Sequence, residues 1–252
     1  MPFDYATTDI DTKVLGGALV ETIEFDDGDG GRASAYLVGP ANPPDRSLPG
    51  VVYAHGGGAT NVRFLGEAIE FAGKGGVAVL PQNDIVLDGD PEVDLELVHA
   101  GVVIERRALD VLSADSRVDA GRIGYVGHSW GASMGAMLSG IEPRLKVVIL
   151  AATGARLAGF FWRWGPGHAD EEDYVAAVSA VDPVAHVGTL ADRGVLYQLG
   201  TRDSIPEEDS QYFWAAIAGD KERREYDCDH NLVDHAPARA DRLAYLADRL
   251  DL

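Results

Sequence analysis

Gly127-His128-Ser129-Trp130-Gly131 is a short pattern with chemistry at its centre. Glycines two residues before and two after a serine permit a turn sharp enough to lift the hydroxyl clear of the backbone, because no Cβ crowds it. The run into the turn, Arg122 to His128, reads as an apolar strand. The run out, Gly131 to Ser139, reads as a small-residue helix, whose starting N–H groups could stabilise an oxyanion. This is the form of a nucleophile elbow. A serine hydroxyl is a poor nucleophile near neutral pH, so it requires a base, and the base requires an orienting carboxylate.

Histidine is the suitable base at neutral pH, and an acid at the end of a later strand is the suitable partner. Gly200-Thr201-Arg202-Asp203 supplies the acid and Asp229-His230-Asn231-Leu232 the base, each after a separate predicted strand. Only His230 and His235 follow Asp203, and His235 falls where the last helix should open, so His230 is preferred. Asp209 is a weaker acid candidate because it should lie inside a helix, and Asp229 should point away from its neighbour His230. Cys228 reads as a buried bystander thiol. His55-Gly56-Gly57-Gly58, at the end of another strand, leaves backbone N–H groups bare. The expected oxyanion hole is the N–H of Trp130 with that of Gly57 or Gly58. No His-Glu-x-x-His or cysteine-histidine spacing suggests a metal, and no cofactor is expected.

These residues need a sheet to hold them. Gly17 to Phe25 and Arg32 to Val38 read as antiparallel strands about an Asp/Gly turn, and Gly50 to Ala54 as a buried strand. Beyond them strands at 76–80, 145–152, 194–199 and 222–226 alternate with helices near 61–74, 92–114, 207–219 and 237–250, with 118–122 a turn into the elbow strand. That alternation predicts a mostly parallel sheet with helices on both faces. Residues 154–181 break the rhythm. They carry Phe160, Phe161, Trp162, Trp164 and Tyr174, and a cap is expected there, with His55, Phe160, Trp162 and Trp164 lining a substrate pocket.

The chain has 252 residues, which fits one α/β domain, and no second domain is expected. Its 41 acidic against 21 basic residues leave a net charge of −20, which disfavours nucleic acid and anionic membranes as partners. A single cysteine excludes an intrachain disulfide. Met1 to Ile10 lacks the basic end and apolar core of a signal peptide, and no run is long and apolar enough to span a bilayer, so a cytoplasmic location is expected. A homodimer is compatible with the sequence but not indicated by it.

With the elbow, the His55 glycines, Gly200-x-x-Asp203 and Asp229-His230-Asn231-Leu232 together, the chain resembles the α/β-hydrolase superfamily from about Gly50 to its end. It is most similar to the dienelactone hydrolase and acyl-peptidase-like esterases. Val118-Asp119-x-x-Arg122-Ile123 and Val181-Asp182-Pro183 are also similar to that branch. Dienelactone hydrolase itself uses cysteine where this chain has Ser129. His128-Ser129-Trp130-Gly131 also resembles the elbow of haloalkane dehalogenases, which carry aspartate at the nucleophile position. The resemblance implies a serine esterase acting on a small-molecule ester through an acyl-enzyme, with Ser129, His230 and Asp203 as triad and Trp130 beside the acyl group. A peptidase of short peptides and a non-catalytic binding protein on the same fold are the alternatives.

Overall fold

A computed structural model describes residues 5–7, 13–44, 47–166, 170–190 and 192–252. Most of the stretch Met1 to Ile10, and residues 167–169 of the expected cap, lie outside the described residues. Strands β1 (Tyr5–Thr7), β2 (Lys13–Leu15), β3 (Ala18–Asp26) and β4 (Arg32–Pro40) open the chain. β3 pairs antiparallel with β1, β2 and β4. β3 and the first half of β4 alternate in burial, apolar inside and polar outside, as a sheet with one solvated face requires.

From there the chain alternates. β5 (Leu48–Ala54) leads through a 3₁₀ turn at Asn61–Phe64 into α1 (Leu65–Gly73), then β6 (Val77–Pro81), α2 (Pro91–Ala114), β7 (Val118–His128), α3 (Trp130–Ile141) and β8 (Leu145–Ala151). After α4 (Ala158–Trp164) and α5 (Glu171–Val178) come β9 (Gly194–Gly200), α6 (Glu207–Ala216), β10 (Asp220–Tyr226) and α7 (Ala236–Arg249). β6, β5, β7, β8, β9 and β10 lie side by side in that order and pair in parallel, while β4 closes onto β6 antiparallel. This is the expected α/β architecture. Parallel strands put all their carboxyl ends on one edge of the sheet, and the loops after β5, β7, β9 and β10 therefore meet there.

The central strands β5, β8 and β9 are almost wholly buried because helices cover both faces. Phe64, Phe71, Leu243 and Leu246, from the α1 and α7 side, pack against Val51, Tyr53 and Val126. Leu109, Leu112, Ala132, Ala136 and Phe213, from α2, α3 and α6, pack against Val52, Ala54 and Tyr125. Strand alternation makes the two sets distinct: Val51 and Val52 face opposite ways. Arg242, fully buried, is neutralised by Glu67 at 2.6 Å and ties α7 to α1.

Four local details differ from the expectation or add to it. Residues 118–122 are strand rather than turn, because Val118 pairs with Leu48 across a register shift. The 61–74 helix starts as a 3₁₀ turn, and the last strand starts at Asp220. The described part of the 154–181 excursion carries two helices: α4 and α5 pack their apolar residues, including Phe161, Tyr174 and Val178, on Trp130 and Met134 of α3. Asp182 begins that packing by accepting from the N–H groups of Leu157 and Ala158 at 2.6 and 3.0 Å.

Candidate active site

Ser129 stands between β7 and α3 with φ 53° and ψ −114°, the left-handed half of backbone space that a side chain rarely adopts. Neighbouring glycines make that turn possible. A Cβ on Gly127 would run into the Gly131 carbonyl, and one on Gly131 would run into the Ala54 carbonyl. The turn is further held by Ser129 N–H donating to Ala151 at 2.8 Å and Gly131 N–H to His55 O at 3.1 Å. The hydroxyl thus projects above the sheet's carboxyl edge.

Three strand ends converge on it. Ser129 Oγ lies 2.8 Å from His230 Nε2, and His230 Nδ1 lies 2.9 and 3.1 Å from the two oxygens of Asp203. Burial alone would raise the Asp203 carboxyl, but the hydrogen bond and charge of His230, with the N–H of Ile205, hold it below its ordinary value. An ionised carboxylate there fixes the proton of His230 on Nδ1 and leaves Nε2 as the acceptor facing Ser129. Asp209 and Asp229 are occupied elsewhere. Asp209 accepts from Ala155 N–H and faces Arg156, and Asp229 accepts from Asn231 N–H. His235 occupies the position just before α7, and burial pushes the Cys228 thiol up.

Trp130 is the first residue of α3, so its N–H has no intrahelical acceptor. Gly57 faces the same cleft, whose volume is about 1000 Å³ and whose floor includes Ser129, Trp130 and His230. Gly58, at φ 69°, makes the turn that follows and does not line the cleft. Phe160 and Trp164 form part of the lip, with ring centroids 5.8 Å apart. Trp162 and His55 are not in the lining. Trp162, half-buried, packs against the apolar cluster beneath the α4–α5 segment, since α4 turns residues 160 and 164 to one face and 162 to another.

His55 lies behind the glycine loop, buried, with its Nε2 accepting from Asn83 N–H at 3.1 Å. Its proton therefore sits on Nδ1 and is donated to the Gly56 carbonyl at 2.8 Å, and burial lowers its pKa in keeping with a neutral ring. His128 was legible only as part of the turn. Its Nε2–H donates to the His230 carbonyl at 2.7 Å, and burial drives its pKa down to about 4, so the neutral ring tethers the His230 loop to the elbow. Among the described residues no cluster of metal-binding side chains occurs, and no helix is long and apolar enough to cross a membrane.

No protein-family model matches the chain, and comparison with curated protein sequences gives no match. Solved structures do match. An acetyl xylan esterase from Paenibacillus sp. R4 superposes with a TM-score of 0.78 at 19% identity, over 99% of this chain and 90% of that one. A cold-adapted esterase from an Arctic intertidal metagenomic library gives 0.71 at 20% identity, over 97% and 99%. An S-formylglutathione hydrolase from Agrobacterium tumefaciens gives 0.70 at 19% identity, over 96% and 99%. Sheet order, strand-end loops and these superpositions together identify the chain as an α/β-hydrolase in fold.

Proposed function

We propose that the protein is a serine hydrolase that cleaves a carboxylic ester of small or medium size through an acyl-enzyme. The continuous hydrogen-bonded chain from Asp203 through His230 to Ser129, opening into the cleft, carries this reading. Ser129 Oγ attacks the ester carbonyl while His230 Nε2 takes its proton, and Asp203 stabilises the imidazolium. The N–H groups of Trp130 and Gly57 receive the tetrahedral oxyanion. Collapse expels the alcohol, protonated by His230. Water, deprotonated in turn by His230, then releases the acid and restores Ser129.

The segment 154–181 serves as a small cap, and Phe160 and Trp164 contact the part of the substrate farthest from the carbonyl. The esterases among the similar structures support the choice of an ester. The test is hydrolysis of p-nitrophenyl esters from acetate to decanoate by wild type and Ser129→Ala. Turnover confined to wild type is expected, with an optimum that sizes the pocket. Equal turnover by the variant sinks the assignment.

A further inference from the structure

Seven carboxylates are buried among the described residues: Glu67, Asp94, Glu105, Asp115, Glu142, Asp182 and Asp209. Six have a cation or backbone N–H groups beside them. Arg242 serves Glu67, Arg117 serves Asp115 and Arg144 serves Glu142. Asp94, Asp182 and Asp209 accept from main-chain N–H groups. Glu105 differs. In the middle of α2 and 1% exposed, it is met only by the Asn83 side-chain amide, with Nδ2 donating to Oε1 at 2.9 Å, while Oε2 has no partner. Burial pushes its pKa up to about 8, so at neutral pH it is a neutral acid. An apolar side chain would be the ordinary occupant of such a position.

Asn83 spends its other hydrogen bonds in two directions. Nδ2 also donates to the Gly101 carbonyl of α2 at 3.0 Å, and its main-chain N–H donates to His55 Nε2 at 3.1 Å. His55 in turn holds the Gly56 carbonyl through Nδ1 and accepts the Gly131 N–H on its own carbonyl. The link from α2 therefore ends on the two segments that carry Gly57 and Trp130. The Trp130 side chain leans on the same part of α2. A Cβ at Gly101 would stand 3.2 Å from Trp130 Cζ2 and 3.3 Å from Asn83 Oδ1, closer than a side chain there normally comes, so glycine lets both approach.

We propose that Glu105 is a positioning residue for the oxyanion hole, orienting Asn83 so that Asn83 and His55 hold the Gly56-Gly57 backbone against the elbow. The proposal rests on the serine-hydrolase reading above. Oxyanion donors are needed most in the transition state, so loosening them lowers kcat and leaves KM nearly unchanged. Removing one such donor outright costs roughly 10²–10³ in kcat, and displacing one through a relay should cost about tenfold or more.

The test uses the full chain, with steady-state hydrolysis of an activated p-nitrophenyl ester and thermal unfolding of each variant. Glu105→Leu and Asn83→Ala should each lower kcat about tenfold, with KM within about threefold of wild type. Glu105→Gln, which keeps an acceptor for Asn83 Nδ2, should restore kcat to within about twofold. The double variant Glu105→Leu/Asn83→Ala should lose no more than the worse single one, because both break the same link. Should Glu105→Leu fail to fold, Asn83→Ala against Glu105→Gln carries the test alone. Wild-type kcat in Asn83→Ala, multiplied losses in the double variant, or loss in Glu105→Gln with unfolding unchanged overturns the relay. Ser129→Ala in the same assay separates the two ideas. Its inactivity with unaffected relay variants leaves the hydrolase standing and removes only the relay, while absence of wild-type turnover removes both.

Discussion

At the floor of the cleft and just behind it, Ser129, His230 and Asp203 each follow a strand end, and their loops are tied by main-chain contacts to neighbouring strands and to one another. Thr201 N–H and Arg202 N–H donate to Tyr226 and Cys228 carbonyls, joining the acid loop to the histidine loop. A Cβ on Gly200 would strike the Cys228 and Asp229 carbonyls, so the two loops touch backbone to backbone. At the lip, Phe160 and Trp164 stand on the seven-residue α4 and are 49% and 70% exposed. The floor is positioned by backbone geometry, which a substitution can break but scarcely tune. The lip is built of side chains with room to move, and it can vary without disturbing the reacting atoms.

That contrast sets the order in which substitutions should act. Asp203→Asn keeps the shape of the floor but removes the charge that orients His230, and should lower kcat on the order of 10⁴-fold, measured by steady-state hydrolysis at neutral pH. A loss under tenfold would mean that another group holds the imidazole.

His128 tests the floor's stability rather than its chemistry. Its pKa falls from 6.5 unfolded to about 4 folded, so above pH 6.5 both states are neutral and no penalty arises. As pH falls through that window, the unfolded chain takes up the proton first, and stability should drop by roughly 2–3 kcal/mol by pH 4.5. His128→Gln retains an N–H donor for the His230 carbonyl but does not titrate. Urea unfolding at pH 7 and 4.5 should show a smaller acid loss in the variant by about that amount, and equal losses would detach His128 from the acid sensitivity.

The smallest effects belong to the lip. Phe160→Ala and Trp164→Ala should leave kcat/KM for p-nitrophenyl acetate within about twofold and lower it for long-chain esters roughly three- to tenfold, mainly through KM. A matching loss on acetate would place these rings closer to the carbonyl than the lip.

Much of the floor was legible because turns are written in adjacent residues. The Gly127 and Gly131 spacing could be read directly as a sharp strand-to-helix turn, and alternating strands and helices as a parallel sheet with its loops on one edge. The acid and the histidine were legible only as an order along the chain. What escaped were contacts between distant residues that carry no local mark. Asn83 and Glu105 are 22 positions apart, and His128 and His230 are 102 apart. Trp162 was expected in the pocket because it belongs to an aromatic cluster near the elbow, and His55 because it opens the glycine turn. Tertiary packing put His55 behind the glycine loop and Trp162 against the edge of the apolar cluster, and the helical turn of α4 left Phe160 and Trp164 at the opening. Backbone conformation follows largely from neighbours in sequence, so the sequence by itself determined the sharp elbow turn, the order of strands and helices and the sheet edge on which their loops gather. Pairing with Leu48 decided that 118–122 is strand. A side chain's partners follow from which elements the fold stacks together, so the cleft's lining and the buried supports behind its loops were decided only by the tertiary structure.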